Sequence, residues 1–203
     1  MNLKIINIAN IISFILLFIT LLTLPASGSI QDVASELETL CSTYQHECKV
    51  EVTSNKYPQA YATRDNKVIF TTGIINMLTG NELKSVGYHE VGHIIFNHYR
   101  KADRFFDNFD FQDSSKIVEM RYNHEIEADL FSTYIDFKNH QFPKLPTALF
   151  KIVGASNLDK TSDTHPKPND RIKYIYKFYN YLQRINKNET NYTSSYRRFL
   201  YSK

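Results

Sequence analysis

The order of apolar patterns along this chain predicts an α+β fold, in which a small β-sheet or hairpin packs against helices. Three observations carry that expectation. Val33, Leu37, Leu40, Cys41 and Tyr44 recur at helical spacing. Short β-branched and aromatic runs then fill the segment between Lys49 and Thr72. The patterns that follow are helical. A length of 203 residues with 42% hydrophobic and 22% charged residues fits one compact domain and excludes a disordered chain.

Residues 1–28 read as an export segment. Lys4 is their only charge, Ile11 to Leu24 is an apolar run, and small residues follow at Ala26 and Gly28. These are the parts of a signal peptide. The stretch from Ile5 to Leu24 is also long enough to span a bilayer as a retained anchor, although Asn7 and Asn10 interrupt it. The short apolar core favours cleavage. Either form predicts a periplasmic or secreted domain, with N-terminal or peripheral membrane association as the anchored alternative. A second long apolar stretch is lacking, so the pattern is not that of a multi-spanning protein.

Asp32 to about Tyr44 reads as the first helix, and Lys49 to Thr53 as a strand. Gln59 to Thr63 and Lys67 to Thr72 flank the turn residues Arg64, Asp65 and Asn66, which predicts a hairpin. Cys41 and Cys48 are the only cysteines. In an exported protein so close a pair favours a disulfide between the helix end and the next strand, against two free thiols.

Thr79 and Glu82 form a capping box for a helix running to about Tyr99. Arg100 to Asp113 lacks clean periodicity and reads as a surface loop. Its Phe105, Phe106, Phe109 and Phe111 suit either a substrate-facing lid or cover for the core. Ser114 or Ser115 caps a helix to about Asn139, and a short helical piece ends near Val153. Gly154 to Asn169 reads as loop, and Arg171 to about Ile185 as the last helix. The domain is expected over residues 29–187, with residues 188–203 as a polar, basic tail.

Charge separates along the chain. Asp103 to Asp129 holds eight acidic residues against three basic ones, whereas Arg171 onward holds eight basic residues and one acid. Two solvated faces explain this, as does a basic face resting on an anionic membrane or substrate. A net charge of +3 gives no sign of a nucleic-acid partner.

The chemistry concentrates in two helices. In His89-Glu90-Val91-Gly92-His93 the two imidazoles project from one helix face, one turn apart, and can share a zinc ion. Glu90, about 100° round the helix from His89, is placed to serve a metal-activated water as general base. Glu125 and Asp129 lie one turn apart on the second helix. A catalytic zinc site needs three protein ligands and an open position, and two His with one Glu is an established set. Glu125 is therefore expected as third ligand. Asp129 is expected to accept an imidazole N–H from a ligand His. Glu127 and His124 are expected to point away from that face.

Asn81 to Tyr88 leading into the His-Glu pair, followed by Glu125 to Asp129, resembles the HtpX and CAAX-prenyl-protease family of zinc metallopeptidases. Pro58 to Ala62 and Val68 to Ile74 resemble that family's strand pair, and His165 to Ile172 its His-Pro…Arg-Ile element. The likeness covers about Lys49 to Ile172. It implies a zincin domain of the gluzincin type, endopeptidase activity on proteins or peptides, and one Zn2+ per chain held by His89, His93 and Glu125. It also implies that His165 approaches the metal, as an oxyanion donor or an inhibitory fourth ligand; packing of a Pro-flanked loop is the plain alternative. Arg171 either pairs with a carboxylate or simply begins a helix. An extended substrate is expected to add to the sheet edge along Val68 and Phe70. This chain departs from the membrane-embedded members in lacking extra spanning helices, so preference for prenylated peptides is not implied. A zinc-binding chaperone or assembly factor for exported proteins is the competing reading.

Overall fold

The computed structural model describes residues 29–107, 114–156, 166–185 and 191–201. Helix α1 (Ile30–Thr43) starts with a capping box in which Ser29 and Asp32 satisfy each other's backbone N–H groups. It buries Val33, Leu37 and Cys41. A disulfide joins Cys41 to Cys48, with Cα atoms 6.0 Å apart, and ties the helix end to the strand that follows.

Strands β1 (Lys49–Thr53), β2 (Ala60–Ala62) and β3 (Lys67–Thr71) form one sheet in the order β1-β3-β2. β2 and β3 make the expected hairpin, closed by the left-handed Asn66, while β1 lies parallel to β3. Both sides of β3 are therefore paired, and Val68 and Phe70 are fully buried. The expectation that a substrate docks along Val68 and Phe70 is overturned: this strand is central, and its side chains face the core. The open edge beside the hairpin belongs to β2.

Thr71 caps a short helix α2 (Thr72–Met77) by accepting from the Ile74 N–H. Helix α3 (Gly80–Ile95) opens with the Thr79/Glu82 capping box. Eleven of its sixteen residues are buried, so it is a core helix rather than a surface one. It packs against α1, β2 and the long α5 (Ser114–Lys138). Gly92 permits a close backbone approach of α5: a Cβ there would stand 3.2 Å from the Ala128 Cα.

The expected helix to Tyr99 breaks early. Asn97 adopts φ 53, and α4 (His98–Asp107) starts anew, so much of the expected surface loop from Arg100 is helical. Asn tolerates the left-handed conformation that stops a helix, and it was this signal that the apolar period obscured. Phe105 and Phe106 are half-buried and touch edge to face; Phe109 and Phe111 lie outside the described residues.

Helix α6 (Leu145–Ser156) and helix α7 (Pro168–Arg184) extend slightly beyond their expected bounds, α7 with Pro at its first turn. The expected polar, basic tail contains helix α8 (Tyr192–Tyr201). Tyr192 anchors it, buried against Phe96, Phe131 and Tyr134. Among the described residues no helix is long and apolar enough to cross a membrane. The expected export segment lies outside them.

Candidate metal centre

The 400° turned by four helical residues puts His89 and His93 on the same side of α3, and α5 lies across that side. His89 Nε2 and His93 Nε2 are 3.1 Å apart. Glu125 meets both, with Oε2 3.6 Å from His89 Nε2 and Oε1 3.5 Å from His93 Nε2. Four ligands around zinc at about 2.0–2.1 Å would stand about 3.3 Å from one another. The two Glu125 contacts use different carboxylate oxygens, and one ligand atom from each of the three residues lies within 4.8 Å of the others, so the donor set can converge on one such ion. It is the one such His/Cys/Asp/Glu group among the described residues.

A hydrogen-bonded shell fixes the ligands. His89 Nδ1 lies 2.9 Å from Asp129 Oδ1. Asp129 is fully buried and receives two hydrogen bonds from Arg171, Nε to Oδ2 at 2.8 Å and Nη2 to Oδ1 at 2.6 Å. Arg171 Nη1 also comes within 3.5 Å of Glu125 Oε2. The Arg171 guanidinium therefore serves α5 at two carboxylates and locks the start of α7 to it. Burial alone would raise the Asp129 pKa, but the Arg171 charge and hydrogen bonds outweigh it and hold the carboxyl well below the usual range. Burial likewise opposes charge on His89, yet the Asp129 hydrogen bond and charge prevail and raise its pKa. His93 Nδ1 faces an imidazole, His98, rather than a carboxylate. Burial and then the neighbouring His89 push His93 down to about 3, which keeps it neutral.

Glu90 is buried beside the ligands, and its Oε2 accepts the Ala62 N–H at 2.8 Å. The Ala62 carbonyl in turn accepts from the Tyr99 hydroxyl at 2.6 Å. The hairpin edge is thus attached to α3 and α4 at one residue. Burial first, and the Glu125 charge as a further cause, raise the Glu90 pKa toward the range useful for proton transfer.

The structure brings His89, Glu90, His93, Glu125, Asp129 and Arg171 together. Val68 and Phe70 lie in the core, and His165 falls outside the described residues. Glu127 does not point idly away, as its helical position suggests. His98, the first residue of α4, sits between His93 and Glu127, with Nδ1 2.9 Å from His93 Nδ1 and Nε2 3.0 Å from Glu127 Oε2. His124 stacks on the His98 ring at 4.1 Å. Burial and the neighbouring imidazoles hold His98 far below its ordinary pKa, so it is neutral. A His five residues after His93 was the available signal. The left-handed turn at Asn97, which aims it back, was not.

Residues 27–107 match Peptidase family M48. The match includes His89, Glu90 and His93 and ends before Glu125, which the helix packing supplies. No curated protein matches the chain. The α+β architecture, with its His89/His93/Glu125 group, is consistent with a zincin active site, and the group is a metal site typical of M48 zinc peptidases. Over residues 27–107 the chain carries a domain of Peptidase family M48, a family of metallopeptidases, hydrolases that act on peptide bonds.

Proposed function

We propose that this protein is an exported, zinc-dependent endopeptidase, with residues 29–187 as its catalytic domain and Glu90 as its general base. The observation that carries the reading is the convergence of His89, His93 and Glu125, one ligand atom from each lying within 4.8 Å of the others, with Glu90 beside them. One zinc ion bound there would supply Lewis acidity toward a scissile carbonyl and acidify water.

The protein's own groups divide the remaining work. Asp129 keeps the proton of His89 on Nδ1, which leaves the Nε2 lone pair for the metal. Arg171 keeps Asp129 ionised and oriented. Glu90 takes a proton from water and delivers it to the leaving amine. Its raised pKa suits both transfers, because a carboxylate that is too weak a base cannot accept the first proton. An extended peptide running along the open edge of β2 would pass Glu90 at Ala62, the residue whose N–H already holds the Glu90 carboxylate. His165 is retained as a candidate for the oxyanion or for the fourth coordination position. Export rests on the composition of residues 1–28.

The test is cleavage of unfolded casein by the zinc-loaded protein lacking residues 1–28, beside Glu90→Gln. The reading expects wild-type cleavage and a loss of about 100-fold or more in the variant. If neither protein cleaves while both bind zinc, the catalytic reading fails and the chaperone alternative takes its place.

A further inference from the structure

We propose that His98 and Glu127 are positioning residues that orient His93 for the metal, as Asp129 does for His89. The proposal rests on the metal reading above, since it concerns how one ligand of that site is held. Nothing in the family match assigns a role to either residue.

A His that offers Nε2 to a metal must carry its proton on Nδ1. His93 Nε2 is the atom within the ligand triangle, so His93 Nδ1 must be the donor in the 2.9 Å contact with His98 Nδ1. His98 Nδ1 then accepts, and its own proton is confined to Nε2. That N–H points at Glu127 Oε2, 3.0 Å away, and a carboxylate only accepts. Every atom in the chain from Glu127 to His93 therefore has a single assignment compatible with metal binding. Without His98, the nearest fixed acceptor on that side of His93 is gone.

The surroundings suit a fixed relay. His98 is 3% exposed, and the His124 ring lies parallel to it with an interplanar angle of 6°. Lys101, one turn along α4, stands 3.6 Å from Glu127 Oε2 and opposes its charge. Tyr192 donates to the Glu127 carbonyl at 3.0 Å, which fixes the helix backbone beneath the carboxylate. Both ligand imidazoles are thus tied to carboxylates of α5. His89 reaches Asp129 directly, and His93 reaches Glu127 through one more ring.

Zinc affinity of the protein from residue 29 onward, measured by competition with a chromophoric chelator, tests this together with metal-free thermal stability. His98→Leu keeps the bulk and removes the acceptor, and affinity is expected to fall about 10–100-fold. His98→Asn restores an acceptor oxygen at the place of Nδ1 for His93, and is expected to recover part of that loss. Glu127→Leu is expected to weaken zinc about tenfold. The downfield proton signal of His93 Nδ1–H in the zinc form should persist in His98→Asn and vanish in His98→Leu. The proposal is overturned if Glu127→Leu binds zinc within twofold of wild type, or if His98→Asn binds as weakly as His98→Leu. Should His98→Leu fail to fold, Glu127→Leu decides alone. A wild-type protein that takes up no zinc overturns the metal reading itself, whereas normal wild-type uptake with unaffected variants overturns only the relay.

Discussion

Replacing Asp129 by Asn changes one atom, yet neither orientation of the new amide can satisfy its neighbours. Asp129 Oδ1 faces both His89 Nδ1 at 2.9 Å and Arg171 Nη2 at 2.6 Å, and Oδ2 faces Arg171 Nε at 2.8 Å. If the amide oxygen keeps the Oδ1 position, the new NH2 meets the Arg171 Nε–H, donor against donor. Arg171 is 8% exposed, so its charge would lose half of its bidentate partner within the interior. Breaking a buried pair costs about 3–5 kcal/mol. If the amide turns over, its NH2 meets His89 Nδ1 and favours the tautomer with the proton on Nε2, where the metal must bind. The loss then appears in zinc affinity, about 10–100-fold, or roughly 1.4–2.7 kcal/mol at 1.36 kcal/mol per decade.

Two assays separate these outcomes: urea unfolding of the metal-free protein, and zinc affinity by chelator competition. The expected result is a stability loss of about 3–5 kcal/mol, a weakening of zinc by at least tenfold, or a division of the effect between them. A variant within 0.5 kcal/mol of wild-type stability (roughly the scatter of surface substitutions) and within twofold in zinc affinity would refute the reasoning. It would mean that Asp129 neither neutralises Arg171 nor fixes His89.

Two further perturbations probe the frame around the site. Asp136 is fully buried, accepts from Ser85 and the Lys144 N–H, and is pushed up by burial to about 6. With the folded value above the ordinary one, its contribution favours folding below about pH 4 and is lost as pH rises through 6. Near pH 8 the cost is about 3 kcal/mol. Asp136→Asn should therefore gain about 3 kcal/mol on wild type between pH 4 and pH 8 in metal-free urea melts; a pH-independent difference would contradict this. Removing the Cys41–Cys48 disulfide by paired Ala substitutions opens a loop with a sequence separation of seven. That should cost about 2–3 kcal/mol of unfolding free energy while leaving zinc affinity unchanged, and a changed affinity would show that α1 helps to set the ligand geometry.

Helical periodicity was enough to find the two His of α3 and the Glu125–Asp129 pair of α5, because each pair lies one turn apart on its own helix. Their convergence depended on packing that no local pattern encodes, notably the contact of Gly92 with Ala128. The hairpin was legible from its turn residues, but the position of β3 was not. Its parallel pairing with β1 is a long-range choice, and it is what buries Val68 and Phe70. The break at Asn97 was hidden because His98 and Tyr99 continue the helical pattern across it. Helix α8 was missed because its buried content is largely Tyr192 and Ser195, and a single aromatic anchor leaves almost no period.

The distribution of the centre over the chain has a consequence for how it is constrained. The family match ends at residue 107, the last residue of α4, yet Glu125, Glu127, Asp129 and Arg171 all follow it. These four groups are bound to the matched part by chemistry rather than by local sequence. Glu125 closes the donor triangle, and Asp129 answers His89. Glu127 answers His98, and Arg171 pairs with both Glu125 and Asp129. Three acidic residues at alternate positions of one helix would be an unfavourable concentration of like charge in a buried setting. Here each has an opposite partner: Asp129 and Glu125 share Arg171 from α7, and Glu127 has Lys101 from α4. The cations come from both sides of α5, so the helix cannot rotate without separating at least one pair. Rotation by even one residue, about 100°, would carry Glu125 out of the triangle. The charge pairs therefore set the angular position of α5 against α3, and that angle is what turns two separate helical motifs into one metal centre.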